Sequence, residues 1–519
     1  MTTNAADSDA PILIGLDIGT TNIKATAFTP DGALLASSSV PTITHYPSPG
    51  CAYYLADEIW SSATGVLRSL VAQIDFPERI AGIATASMGE AGVLIDQHCD
   101  ALCPIIAWFE RRTLLQMDQV IELLGEERIA TLTGIRPQPI YSLLKQLWLR
   151  EHDPHAFNQA KRWLHMADFI AFKLCGVPAT DWSLASRTMA FDIAGLRWSE
   201  EILEAVGISE SLYAPAIRSG AGIGTITPAA SAETGLPVGC TVSTGGHDHI
   251  CGAFAGGATL HGSMLDSLGT AEALFMALDR PIADPWFSMS GYAIGAHTAP
   301  GMYYVSGSVW SSGSSIRWLR EMIGADSDLG LLLQEAAATP AGSNGAMFLP
   351  HLLLGDAPHA DNRSRGALVG LSGGLSRGAI TRAVIEGVAF ESRAGYEPLI
   401  QYTSRARFPE ITAIGGGARN RLLLEIKASV MNTPLKVLEI SEATSLGAAM
   451  LAGIGAGVYN DTLDAQRQVQ LRSTIVEPDP RLVEHYDRLY KDAFLKLYDA
   501  TKEINHTLYA LSAIDGGVA

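Results

Sequence analysis

Residues 12–40 read ILIGLDIGTTNIKATAFTPDGALLASSSV, and this opening constrains the fold more than any other stretch. Ile/Leu/Val/Thr-rich segments alternate with a Gly19-Thr20-Thr21 turn and a Pro30-Asp31-Gly32 turn. That pattern predicts strand, turn, strand, turn, strand. A doubly wound α/β domain would pass from its first strand into a helix, so an antiparallel meander at the start points to a different α/β topology. Downstream, the pattern predicts a helix around Asp57–Ile74, a strand over Arg79–Thr85 and mostly helical sequence from Arg112 to Leu174. An apolar strand over Pro237–Thr244 follows, ending in Gly245-Gly246. Residues 1–10 read as a loose tail, and Asp479–Leu511 as one or two closing helices.

The first turn has an echo. Leu16-Asp17-Ile18-Gly19-Thr20 is matched by Leu265-Asp266-Ser267-Leu268-Gly269-Thr270, close to half a chain length away. At 519 residues the chain exceeds what one hydrophobic core usually organises. Two related halves are therefore expected, 1–256 and 257–519, divided in the small-residue stretch Gly252–Thr259 and each carrying a Gly-Thr turn toward a shared cleft. Gly415-Gly416-Gly417, between a strand Ile411–Ile414 and a helix Asn420–Met431, is a third such turn.

Composition narrows the function classes. A net charge of −18 argues against a nucleic-acid surface, which concentrates Lys and Arg. The N-terminus lacks a basic region followed by an apolar run, and Leu446–Tyr459, the longest apolar stretch, is too short to span a bilayer and reads as a buried helix. His98, Cys99 and Cys103 lie close together, but no second ligand pair follows at zinc-site spacing. A cytoplasmic protein with reduced thiols, and with no membrane or nucleic-acid partner, is expected.

Chemistry concentrates at strand ends. Gly19, lacking a Cβ, lets backbone N–H groups approach a phosphate, Thr20 and Thr21 add hydroxyls, and Asp17 is suited to Mg²⁺. A plain capped β-turn is the alternative, and the residues leave both open. The same holds for Gly269-Thr270 and for Gly416-Gly417, which could seat an adenosine. No P-loop or dinucleotide fingerprint occurs in the right context. Asp248 follows an apolar strand beside glycines and is placed as a general base, or else as an N-cap. Glu90, Trp108, Arg111, His247 and His249 are candidate contacts for substrate hydroxyls, each with a structural alternative.

The order of these elements resembles the FGGY carbohydrate kinase family, which includes xylulokinase, fuculokinase, gluconokinase and glycerol kinase. The resemblance rests on DIGTT at Asp17–Thr21, Trp108–Arg112, TGIRPQPIYSLLKQLWL at Thr133–Leu149 and DWSLASRTMAFD at Asp181–Asp192. It continues through Gly246–Asp248, Gly269–Thr270, FLPHLLLGDAPHADNRSRG at Phe348–Gly366, RAVIEGVAFESR at Arg382–Arg393, GGGARN and EATSLGAAMLAGIGAG. It implies two ribonuclease-H-like domains of the actin/Hsp70/hexokinase type, hinged around a central nucleotide cleft. It also implies ATP and Mg²⁺ as cofactors, with Asp17 at the metal and Gly19, Thr20, Thr21 and Lys24 near the phosphates. Gly269 and Thr270 would approach from the second domain, and Gly416, Gly417 and Asn420 would lie against the adenosine. Asp248 would be the catalytic base, with Glu90 and Arg111 at the substrate. The expected acceptor is a small sugar or polyol, a pentulose such as xylulose first; fuculose or another hexulose, gluconate, erythritol and glycerol are the alternatives. A non-metabolic nucleotide switch is the rival reading from another class. Homodimers are the base-rate expectation. The chain departs from the family at Met88-Gly89-Glu90 and at Gly355-Asp356-Ala357-Pro358, which lacks the usual Glu-Arg.

Overall fold

The computed structural model describes residues 10–514 apart from 325–327, 356 and 406, so the expected loose tail falls almost wholly outside the described residues, as does Asp356. The meander forms as expected: β1 (Ile12–Ile18), β2 (Asn22–Phe28) and β3 (Leu34–Pro41) pair antiparallel in sequence. Helix α1 (Ala56–Val71) places Ile59, Ala63, Val66, Leu67 and Leu70 at helical spacing against β2 and β3. The chain then returns as β4 (Ile80–Ser87), parallel to β1.

Further along, a helix α2 (Ser142–His152) and the short helix α3 (Trp182–Ala185) form a side layer. The edge strand β5 (Gly222–Thr225) precedes β6 (Thr241–His247), which lies parallel to β4. The six-stranded order is β5-β6-β4-β1-β2-β3. The strand expected at Pro237–Thr244 thus starts and ends later. A turn with Gly239 at φ +93° occupies its predicted start, and Gly245 and Gly246 belong to the strand itself.

Helix α4 (Asp248–Ala255) leads into the second sheet. There β7 (Met264–Leu268) and β8 (Glu272–Leu278) form a hairpin, and β9 (Ala293–Ala296) and β10 (Tyr303–Val309) extend it antiparallel. Helix α5 (Gly313–Ile323) and the long, buried α6 (Arg377–Tyr402) follow. Then β11 (Ile411–Ile414) runs parallel to β7, α7 (Arg421–Met431) follows it, and β12 (Leu435–Leu438) runs parallel to β11. After α8 (Ala443–Gly455), the edge strand β13 (Ser473–Val476) completes the order β9-β10-β8-β7-β11-β12-β13.

In both sheets, then, a hairpin and a third antiparallel strand lie to one side of the first strand and two parallel strands to the other. The half-chain echo in sequence is an echo in topology. This is a two-domain α/β fold.

Two helices join the halves. On α4, Cys251, Phe254 and Ala255 face the first sheet with Leu13, Ala84 and Ala86, while Ile250 and Ala253 face Leu265, Phe275 and Ile414 of the second. Helix α8, although it follows the second sheet's strands, packs on β1, β4, β6 and α4. Glycines make this approach possible. A Cβ at Gly15 would stand 1.8 Å from the Ser445 carbonyl oxygen, and one at Gly447 would stand 1.9 Å from that of Cys251. The Ala/Gly-rich run read from sequence as a buried helix is therefore buried between domains, where small residues allow backbone contact.

Candidate active site

Asp17 lies on β1, one residue before its end, where the parallel neighbour β4 also ends. Gly19 closes the turn by donating its N–H to the Asn22 carbonyl at 3.0 Å. The Thr20 hydroxyl accepts from Trp108 Nε1 at 2.8 Å, so Trp108, expected at the substrate, also touches the turn. Thr21 is exposed. Oδ1 of Asp17 is buried without a hydrogen-bond partner. Burial, reinforced by the nearby charge of Asp248, pushes the Asp17 carboxyl up to about 8, against an opposing pull from Lys24.

Asp248 is the first residue of α4 and so begins the helix that both cores share. Its Oδ1 accepts the His249 N–H at 2.6 Å, and its carbonyl accepts the Thr444 hydroxyl of α8 at 3.3 Å. Burial raises its pKa, and Glu90 adds to this, while His249 and Arg187 oppose it. His247 stands 3.3 Å from Asp248 through Nε2, and burial, with His249 and Arg187 nearby, keeps its ring neutral. The His247 N–H is fixed by the Ser183 hydroxyl at 2.9 Å; that hydroxyl is held in turn by buried Asp181.

The glycines before Asp248 include one with a packing role. A Cβ at Gly245 would lie 1.9 Å from the Thr85 carbonyl oxygen. This glycine allows β6 to close on β4 at the bulge between Ser243 and Gly246.

Glu90 is 3 % exposed and adopts φ +60°, the left-handed region unusual for a side chain of its size. Its carbonyl accepts from Ser142 Oγ at 3.1 Å and from Lys145 Nζ at 3.0 Å, both on α2. Its carboxylate pairs with Arg187, Nε to Oε1 at 2.6 Å. Arg187 also bonds Tyr304 of the second sheet, and its guanidinium stands 5.3 Å from the Tyr141 ring centroid. Burial, seconded by Arg112 and opposed by Glu90 and Glu110, lowers the Lys145 ammonium to about 7. Sequence reasoning missed Arg187, Tyr141, Lys145 and Tyr304. The first three lie inside stretches already singled out, SLASRTM and IYSLLKQ, so the signal was at hand.

Other expected residues fall elsewhere. Arg111 is exposed, and its neighbour Arg112 is the one engaged, pairing with buried Glu110 and standing over Trp148. Lys24 pairs with Glu442 at 2.8 Å, an ion pair between the first sheet and the residue preceding α8. Gly269 and Thr270 are exposed, and their carbonyls accept from Gly313 and Ser314 at the start of α5. Below them Lys427 pairs with Asp266 and Glu272, all three fully buried. Gly415, at φ +90°, and Gly417 close on Leu268, while Gly416 has open space around its Cα. Asn420 caps α7 by accepting the Leu423 N–H at 3.2 Å.

The site thus joins two carboxylates, Asp17 and Asp248, whose charges act on each other where the two halves meet, with Glu90 and Arg187 alongside. Residues 12–255 match the N-terminal domain, and 264–456 the C-terminal domain, of the FGGY family of carbohydrate kinases. The xylulose kinase of Bacillus subtilis is 28 % identical over 96 % of this chain and 98 % of its own. The L-fuculokinase of Escherichia coli O157:H7 is 28 % identical over 91 % and 99 %. The crystal structure of xylulose kinase from Rhodospirillum rubrum superposes with a TM-score of 0.87 at 29 % identity, covering 95 % of this chain and all of that one. Matched across both of its domains, this chain belongs to the FGGY family of carbohydrate kinases and is a sugar phosphotransferase.

Proposed function

We propose that this enzyme transfers the γ-phosphoryl group of MgATP to a hydroxyl of a pentulose such as xylulose, with Asp248 as catalytic base. The observation that carries this reading is the juxtaposition of Asp248 with Asp17 at the start of the helix shared by both domains. The names of the relatives support the choice of xylulose.

The residues suit a divalent cation: Asp17 Oδ1 is buried and unpartnered, and its carboxyl resists ionisation until a cation offsets the burial. Asp17 would hold Mg²⁺. When bound, the cation neutralises charge on the phosphates. The chain's own residues do the rest. Gly19, Thr20, Thr21 and Lys24 bind phosphate from the first domain, and Gly269 and Thr270 from the second. Gly416, Gly417 and Asn420 border the adenosine. Glu90, Trp108, His247, His249 and Arg111 are the acceptor contacts. Asp248 takes the proton of the acceptor hydroxyl as its oxygen bonds to the γ-phosphorus and the bond to the β–γ bridging oxygen breaks, leaving ADP. Raised by burial, its carboxylate is a stronger base than a solvated aspartate, and His249 and Arg187 offset part of that rise. The functional units are 1–256 and 257–519, and the enzyme works in the cytoplasm as a homodimer.

Asp248→Asn tests the reading. Turnover of xylulose should fall by about 10²–10⁴-fold, with ATP affinity by calorimetry nearly unchanged. Ordinary turnover in that variant rejects Asp248 as the base.

A further inference from the structure

Building on the reading of this cluster as the acceptor end of a kinase site, the geometry points to the Glu90–Arg187 ion pair as the element that restricts the enzyme to uncharged acceptors and turns away sugar acids. The charges around Asp248 leave little room for another anion. Glu90 raises the proton affinity of Asp248 and Arg187 lowers it, so all three act on one another. His247 is kept neutral by burial and by its cationic surroundings. Arg187 is the guanidinium that acts on Asp248, with the His249 ring beside it, and its Nε and Nη2 are already committed to Glu90 Oε1.

That commitment is built in. The Glu90 backbone is locked in the left-handed region with its carbonyl held by Ser142 and Lys145. Arg187 is braced by Tyr304 and Tyr141. Gly89 makes the close fit possible, because a Cβ there would stand 3.2 Å from Arg187 Cγ and 3.3 Å from His247 Cδ2. Of the neighbouring cations, Lys145 is occupied by the Glu90 and Trp108 carbonyls, and Arg136 adjoins Tyr141 and donates to the Ala360 carbonyl at 3.3 Å.

A neutral ketose or alditol adds hydroxyls that both donate to Glu90 and accept from Arg187. An aldonate brings a carboxylate into a partly buried site that holds the carboxyl groups of Asp17, Asp248 and Glu90 and one paired guanidinium. Like charges a few ångströms apart there cost roughly a hundredfold in affinity.

The test measures ADP release with MgATP and matched acceptors: neutral C3–C6 ketoses and alditols, including xylulose, xylitol and erythritol, against xylonate and gluconate. Wild type should favour its best neutral acceptor over either aldonate by at least a hundredfold in kcat/KM. Glu90→Gln leaves the guanidinium uncancelled and should narrow that gap at least tenfold, by raising kcat/KM on the aldonates; Arg187→Met should widen it. Folding of each variant is checked by thermal unfolding and ATP binding, and where a variant fails them the wild-type comparison decides alone. Wild-type turnover of an aldonate as fast as of the neutral acceptors overturns the inference and leaves the kinase reading standing. So does an unchanged gap in a folded Glu90→Gln. Turnover of no acceptor of either kind overturns the kinase reading itself.

Discussion

In the first sheet Asp17, on the strand before the Gly-Thr turn, has one carboxylate oxygen buried and unpartnered. In the second sheet Asp266, on the corresponding strand before Gly269-Thr270, also has Oδ1 buried and unpartnered, but its Oδ2 is tied to Lys427, which also holds Glu272 on the partner strand of the hairpin. Topology and motif are shared; the charge environment is not. Burial raises both carboxyls to about 8, seconded by Asp248 for Asp17 and by Glu272 for Asp266. Lys427 supplies Asp266 with a permanent counter-charge. Lys24, drawn off by Glu442, does this only partly for Asp17. One copy of the turn is thus stabilised from within the fold, and the other is left for a ligand to complete.

The comparison breaks most sharply at Asp17. Asp17→Asn should lower kcat/KM for MgATP about a thousandfold yet raise stability at pH 8 by about 1–3 kcal/mol, read by denaturant unfolding. The sign follows from linkage. A carboxyl whose pKa rises from 3.8 to about 8 on folding favours the folded state fully below pH 4, and that contribution is lost as pH rises through 8. The same proton competes with a cation, so the KM for MgATP should climb as pH falls below 8, by up to about tenfold per unit. A flat profile would mean that Asp17 is not the group completed by ligand.

Lys427→Met should cost about 3–5 kcal/mol, because it leaves buried carboxylates without a cation. Asp266→Asn should change stability by less than about 1 kcal/mol, since one carboxyl of that trio already carries a proton. Equal losses in the two variants would show that the second copy is not internally neutralised. Gly447→Ala should cost about 1–3 kcal/mol by forcing α8 away from α4; no change would show that this contact is slack. The smallest effect belongs to Glu442→Gln, less than about 1 kcal/mol in stability because the pair with Lys24 is partly exposed. The same variant should lower the KM for MgATP by freeing Lys24.

Much of this was legible in the chain. Alternation and turn residues marked β1 to β3, and the Asp-x-Gly-Thr echo marked the second hairpin, because backbone geometry in a meander is set locally. Asp248 could be found because a carboxylate after an apolar strand and two glycines stands out. Arg187 and Lys145 could not be assigned, since each partner, Glu90 or the Glu90 carbonyl, lies more than 50 residues away. The packing role of Gly245 was hidden for a similar reason: whether a glycine admits a neighbouring strand depends on what that neighbour is.

The order of residues alone determined the strand pattern, the duplicated turn and the acidic net charge, since these follow from local conformation and composition. Tertiary structure alone decided which of two similar aspartates is left unpaired and which glycines touch backbone. It also decided that α8 covers the first sheet rather than its own. Each of these depends on distances between residues far apart in the chain, and burial then sets how strongly the charges among them act.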